Sequence, residues 1–176
     1  MSDIHAAIRG KVWKFGNSVD TNQLAGGGIT VSSDPNENLK ANCLRALRPE
    51  FPQQVKAGDL LVAGTNFGCG SSRQSAVQAL QACGIVAVLA ESVARIHRRN
   101  SIALALPTFV VPGITELVAD GDPLEVDYPA GVVRNLTSGR ELPLTRFPRT
   151  VEQIYELGGI FQVIADKLAS QGIVPQ

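Results

Sequence analysis

Residues 60–90 read LLVAGTNFGCGSSRQSAVQALQACGIVAVLA. The run Leu60-Leu61-Val62-Ala63 is continuously apolar, as a strand buried on both faces requires. A glycine-rich loop, Gly64 to Gly70, breaks it. From about Ser71 to Cys83 the residues Ala76, Leu80 and Cys83 recur on one helical stripe, and Gly84 supplies a C-terminal stop. Ile85 to Leu89 is a second buried strand. A helix from about Ser92 to Ser101 follows, then a third strand, Thr108 to Val111, between Pro107 and Pro112. Strand, helix, strand, helix, strand predicts parallel crossover units, and the fold class is α/β.

Upstream, Lys11-Val12-Trp13-Lys14-Phe15 alternates polar and apolar and predicts a short strand stopped by Gly16 and Asn17, with Trp13 and Phe15 in the core. Asp20 to Asp34 has no usable period and contains three consecutive glycines, Gly26 to Gly28, which predicts a loop of unusual conformational freedom. Asn36 to Leu47 predicts a helix with Leu39, Cys43, Leu44 and Leu47 on one face, capped by Ser33 or Asp34, with Pro35 in its first turn. Downstream, Leu124–Tyr128, Val132–Leu136 and Arg140–Leu144 alternate, with Ser138-Gly139 as a turn between the last two. These are antiparallel strands ending in a hairpin. Helical segments Thr150–Leu157 and Ile160–Ser170 flank Gly158-Gly159. No linker divides the chain, so residues 1–176 are expected to form one domain.

The 176 residues carry sixteen Lys+Arg against sixteen Asp+Glu, a formal net charge of zero. That excludes sequence-independent binding to nucleic acid or anionic membrane, both of which need excess positive charge. With 44% hydrophobic and 18% charged residues the chain can bury a core, and with 5% aromatics that core is mostly aliphatic. Its longest apolar runs are far too short to span a bilayer. Met1 to Lys11 includes Asp3, His5 and Arg9 and lacks the apolar centre of a secretory signal. Cys43, Cys69 and Cys83 are odd in number and widely spaced, which suits reduced thiols in a cytoplasm.

The densest chemical signal is Asn66-Phe67-Gly68-Cys69-Gly70-Ser71-Ser72-Arg73. If the helix starts at Ser71, its free N–H groups and dipole favour an anion, Gly68 and Gly70 let backbone approach a ligand, and Arg73 offers a fork for carboxylate or phosphate. The plainer alternative is that Ser71 merely caps a helix after a tight turn. A Walker loop is excluded by the spacing of Gly64 and Gly70 and the missing Lys. The dinucleotide fingerprint is excluded by Arg73, where its third glycine belongs. Arg95, His97, Arg98 and Arg99 are expected on a solvated helix face, and His5 in a frayed terminus. No second His lies near His97 to build a metal site, and the cysteines lack iron–sulfur spacing.

The loop Asn66 to Arg73 closely resembles the Ser-bearing loop of the aconitase superfamily, in the form found in isopropylmalate dehydratase small subunits. Gly10 to Gly16 with Val19-Asp20-Thr21 resembles that family's opening strand and Asp-Thr-Asp loop. Pro49-Glu50-Phe51 through Gly58-Asp59, Ala94-Arg95-Ile96-His97 with Asn100, and Val132 to Gly139 resemble later stretches in the same order. The resemblance implies a swivelling β/β/α domain that closes over a large subunit. That partner is expected to carry a [4Fe-4S] cluster on its own cysteines, with no cofactor or metal ligand on this chain. It implies a hydro-lyase converting 2-isopropylmalate to 3-isopropylmalate in leucine biosynthesis. By position in the motif Ser71 is the implied base, Arg73 the carboxylate clamp and Ser72 a loop support.

Three departures bear on specificity. Ser72-Arg73-Gln74-Ser75-Ala76 stands where the family has Ser-Arg-Glu-His-Ala. Asp20-Thr21-Asn22 replaces Asp-Thr-Asp. The substrate loop is Leu24-Ala25-Gly26-Gly27-Gly28-Ile29-Thr30, with no arginine for a distal carboxylate and no bulky group before Ile29. Gly26, Gly27, Gly28 and Ile29 are therefore the expected substrate-side residues, and a different substituted malate, such as dimethylmalate, is the alternative substrate. A non-catalytic anion-binding module is the alternative of another class.

Overall fold

The structure is a computed structural model and describes residues 5–171. Residues 1–4, part of the amino-terminal stretch considered above for a leader, and residues 172–176 lie outside the described residues. The strands are β1 (Ile8–Lys14), β2 (Leu60–Ala63), β3 (Ala87–Ala90), β4 (Thr108–Val110), β5 (Pro123–Asp127), β6 (Val132–Asn135) and β7 (Glu141–Pro143). The helices are α1 (Thr21–Leu24), α2 (Pro35–Asn42), α3 (Phe51–Gln54), α4 (Ser75–Ala82), α5 (Arg95–Ala103), α6 (Ile114–Leu117), α7 (Arg149–Glu156) and α8 (Ile160–Ser170).

All seven strands join in one sheet of order β4-β3-β2-β1-β5-β6-β7. The first four are parallel to one another, as the crossover pattern requires. β1 is long enough to serve two partners. Its end, Val12 to Lys14, pairs parallel with β2, and its start, Ile8 to Lys11, pairs antiparallel with β5. The β6–β7 hairpin then extends the same sheet.

Both faces of the parallel half are covered, which explains the unbroken apolar runs. Trp13, Leu61, Ala63, Val88 and Ala90 point to one core, filled by Leu44, Phe51, Val77 and Leu80 of the α2–α4 side. Val12, Leu60, Val62, Ala87 and Leu89 point to the other, filled by Phe109, Ile114, Leu117, Tyr128 and Phe147. Trp13 and Phe15 are core residues, the Trp13 indole donating to Asp59 at 2.8 Å. Among the described residues no helix is long and apolar enough to cross a membrane.

Four local expectations are corrected. The stretch expected to be a loop after Asp20 opens with α1, four residues closed by a capping box in which Asp20 accepts from Asn22 and Gln23 while Gln23 accepts from Asp20. A helix this short has no period to detect. The helix expected to reach Leu47 ends at Asn42, because Leu44 adopts φ 54° and its N–H turns to the carbonyl of Gln23; Leu47 is exposed. The helix expected from Ser92 begins at Arg95, since the Ser92 carbonyl and hydroxyl accept from the Phe67 and Asn66 amides. His5 is not frayed: its Nε2 lies 2.8 Å from Glu156 of α7.

Candidate active site

The loop between β2 and α4 leaves the carboxyl end of a central parallel strand, the usual place for a ligand crevice in α/β sheets. It is fixed on two sides. Toward α1, Gly68 donates to the Val19 carbonyl at 2.8 Å and Thr21 to the Cys69 carbonyl at 2.9 Å. Toward α5, Ala94 donates to the Phe67 carbonyl at 2.8 Å, and the Phe67 ring meets His97 edge-on, centroids 5.0 Å apart. Gly68, at φ 73°, admits no side chain, since a Cβ there would lie 2.2 Å from the His97 ring.

These ties overturn the expectation that α4 starts at Ser71. It starts at Ser75, its N-cap is Gln74, and no side chain caps it. Gly70, at φ 102°, turns the chain, and the Ser71 N–H donates to Thr21 Oγ1 at 3.0 Å instead of facing a ligand. Ser71 and Ser72 therefore precede the helix, so its first turn and dipole are not the source of an anion site at Ser71.

What the structure supplies instead is a hydroxyl pair. Thr21 Oγ1 lies 3.3 Å from Ser71 Oγ. Because Thr21 Oγ1 already accepts from the Ser71 amide, its own O–H is available to donate to Ser71 Oγ. Thr21 is buried, whereas Ser71, Ser72 and Arg73 are exposed. The Arg73 guanidinium has no ion-pair partner among the described residues, leaving it free for a carboxylate. Ser72 follows Ser71 in the same exposed segment, and its hydroxyl has no hydrogen-bond partner among the described residues. Thr21 is the residue sequence reasoning missed as a functional group. The only signal was its place in Asp20-Thr21-Asn22.

Gly26 to Ile29 do not join Ser71 directly. They border a cleft of about 410 Å³ against the end of α2, reached from Ser71 through α1, whose Asn22 also lines it. Asn42 pins the far side of the loop, accepting from the Ile29 N–H at 3.1 Å and donating to its carbonyl at 2.7 Å; Asn38 accepts from Val31 and Ser32. Arg45 lines the same cleft. The stretch itself lacks an arginine, but the fold supplies one from the turn after α2.

His97 is not on a solvated face. Arg95, Arg98 and Arg99 are exposed, but His97 is 1% exposed and neither ring nitrogen has a partner. Burial pushes its pKa down to about 4, so the ring is neutral at physiological pH. The three cysteines lie in different surroundings. Cys43 and Cys83 are buried and hydrogen-bonded to each other, which together with burial raises the Cys43 thiol well above its ordinary value. Cys69 stands apart, donating to the Ser18 carbonyl at 3.6 Å. Among the described residues no three His, Cys, Asp or Glu side chains cluster as a metal site.

The fold is mixed α/β, and its glycine loop brings the Ser71 hydroxyl to Thr21. The family model for the aconitase C-terminal domain matches residues 29–112. Over 157 residues, 89% of this chain and 92% of the other, the sequence is 45% identical to 3-isopropylmalate dehydratase small subunit 1 of Methanopyrus kandleri. It is 42% identical to the isopropylmalate/citramalate isomerase small subunit of Methanocaldococcus jannaschii, covering 94% and 98% of the two chains. The crystal structure of a 3-isopropylmalate dehydratase from Methanocaldococcus jannaschii superposes with a TM-score of 0.87 at 33% identity, covering 95% of this chain and 98% of that one. The chain belongs to the isopropylmalate dehydratase small-subunit family.

Proposed function

We propose that this chain is the small subunit of a two-subunit iron–sulfur hydro-lyase that converts 2-isopropylmalate to 3-isopropylmalate in leucine biosynthesis. In that reading residues 1–176 act as one swivelling domain that closes over a large subunit. The observation that carries it is the Ser71–Thr21 hydroxyl pair on the family's glycine loop.

The proton to be moved lies next to a carboxylate and is very weakly acidic, so its acceptor has to be a strong base. Ser71 Oγ is that base as an alkoxide, and the Thr21 hydroxyl stabilises it by donating a hydrogen bond. Thr21 also fixes the Ser71 backbone, so base and support move as one unit. Arg73, three positions into the exposed loop segment and without a competing acid, holds a substrate carboxylate. The cluster implied for the large subunit supplies, when bound, a Lewis acid for the leaving hydroxyl. The exposure of Ser71 to Arg73 fits a site that is closed only by the partner. The adjacent free thiols Cys43 and Cys83 suit a reducing compartment such as the cytoplasm.

Anaerobic purification of the tagged chain from its own cells tests the assembly: a larger co-purifying protein with iron–sulfur absorbance is expected. Ser71→Ala is expected to assemble normally and lose turnover of isopropylmalate by several orders of magnitude. Unchanged turnover would refute Ser71 as the base and favour an anion-binding module.

A further inference from the structure

The strongest feature that the Ser71 chemistry leaves unused is a pair of thiols in the core. Cys43 stands at the C-terminal cap of α2 and Cys83 at that of α4. Both are buried, at 0% and 2% exposure, on the α2–α4 side of the sheet. The Cys83 thiol donates to the Lys40 carbonyl at 4.0 Å, and the Cys43 N–H donates to the same carbonyl at 3.2 Å. The two side chains are also hydrogen-bonded to each other. A lone buried cysteine is usually an inert core filler. Filling alone does not account for two thiols turned toward each other beside one carbonyl, since alanine or valine would occupy that space and need no partner. Of the three cysteines only these two are brought together; Cys69 donates to the Ser18 carbonyl instead.

We propose that Cys43 and Cys83 are the site of an intramolecular disulfide, formed by reaction with hydrogen peroxide, that staples the end of α2 to the end of α4. One sulfur, as thiolate, attacks a peroxide oxygen, breaks the O–O bond and becomes a sulfenic acid, and the hydroxide released takes up a proton to give water. The other thiol attacks that sulfur and displaces a second water. Two thiols and one hydrogen peroxide thus give one S–S bond and two waters, with two electrons passing from sulfur to oxygen. Burial and the neighbouring thiol make Cys43 hold its proton tightly, so the reaction is slow at neutral pH. In a reducing compartment the pair stays as thiols. Access comes through α2, which has no fully buried residue and lifts from the core more easily than the strands do. The bond closes a loop of roughly forty residues that holds α3, β2, the Ser71 loop and α4, and so restricts the unfolded chain. It leaves Thr21, Ser71 and Arg73 untouched, so this inference stands or falls separately from the proposed function.

The test uses the full chain, first reduced and then treated with hydrogen peroxide in mildly alkaline buffer without denaturant. Remaining thiols are blocked with an alkylating reagent in denaturant, and the digested chain is mapped by mass spectrometry. The expected product is a peptide pair joined through Cys43 and Cys83 and short of two hydrogens. The melting temperature of the oxidised chain is expected to rise by roughly 5–15 °C and to fall back when a thiol reductant is added. Cys69→Ala is expected to form the same link, and Cys43→Ala to lose both the link and the rise. Should Cys43→Ala fail to fold, the peptide map of the wild type still decides. Recovery of Cys43 and Cys83 as free thiols overturns the proposal, as does a link through Cys69, or sulfinic or sulfonic acid at either position in place of the S–S bond. A Cys43–Cys83 link that leaves the melting temperature unchanged or lowers it overturns the staple.

Discussion

Acid should loosen the loop that carries Ser71, through His97. The imidazole is 1% exposed, packs edge-on against Phe67, and fills the space a Cβ of Gly68 would need. Burial alone lowers its pKa from 6.5 to about 4. The fold accepts the neutral ring and resists the charged one, so the unfolded chain binds the proton more readily. Stability therefore falls as pH drops below the unfolded value of about 6.5, and the fall ends near the folded value of about 4. At about 1.4 kcal/mol per pKa unit, the loss from this group is about 2 kcal/mol at pH 5 and approaches 3 kcal/mol at pH 4. Against a total of about 5–15 kcal/mol for a domain, that is a large fraction. His97→Phe keeps an aromatic ring in place, removes the proton site, and removes two buried nitrogens without partners. Urea unfolding of wild type and variant at pH 7.5, 6 and 5 measures the difference, with other titrating groups cancelling. The variant is expected to be at least as stable as wild type at pH 7.5 and about 2 kcal/mol further ahead at pH 5. Curves that stay parallel within about 0.5 kcal/mol would refute the reasoning.

Other changes probe the same neighbourhood. Gly68→Ala forces a Cβ into the His97 ring at φ 73°; both subunits should still be made, but turnover should fall sharply and the melting temperature should drop, as calorimetry can check. Thr21→Val keeps the shape but leaves the Ser71 N–H unpaired and Ser71 Oγ without its neighbour; kcat is expected to fall roughly tenfold to a hundredfold with assembly intact, which steady-state kinetics on the complex reads directly. Glu91 is opposed by burial, yet the Thr115 hydroxyl and the Thr115 and Gly113 amides outweigh it and hold the carboxyl below its usual range. Its contribution is therefore present at neutral pH and lost as pH falls through that lowered value. Glu91→Gln should cost about 1–3 kcal/mol at pH 7 and progressively less as pH falls through the lowered carboxyl value, measured by chemical denaturation.

Residues close in sequence left a clear record of the fold. Leu60–Ala63 and the apolar run from Ile85 declared strands buried on both faces, and Asp34-Pro35 declared the start of α2, where Asp34 accepts from Asn36 at 2.8 Å. The alternation after Leu124 declared the hairpin. These are local matters, because periodicity records which face of an element is covered and capping involves residues two or three apart. The Ser-bearing loop was likewise legible, since its residues are contiguous.

Periodicity does not record what does the covering. Thr21 and Ser71 are fifty residues apart and meet only because α1 and the β2–α4 loop exchange backbone hydrogen bonds. Those same bonds delay α4 to Ser75, against the stripe that suggested an earlier start. His97 sits among arginines in sequence, and its burial under Gly68 depends on where α5 crosses the loop. Arg45 borders the same cleft as the glycine triplet, in the turn where Leu44 leaves the helical region and bonds back to Gln23. The sequence by itself determined the strands, the caps and the serine loop; which hydroxyl, which imidazole and which guanidinium stand beside that loop was decided by chain crossings, whose energies come from contacts between residues no local pattern connects.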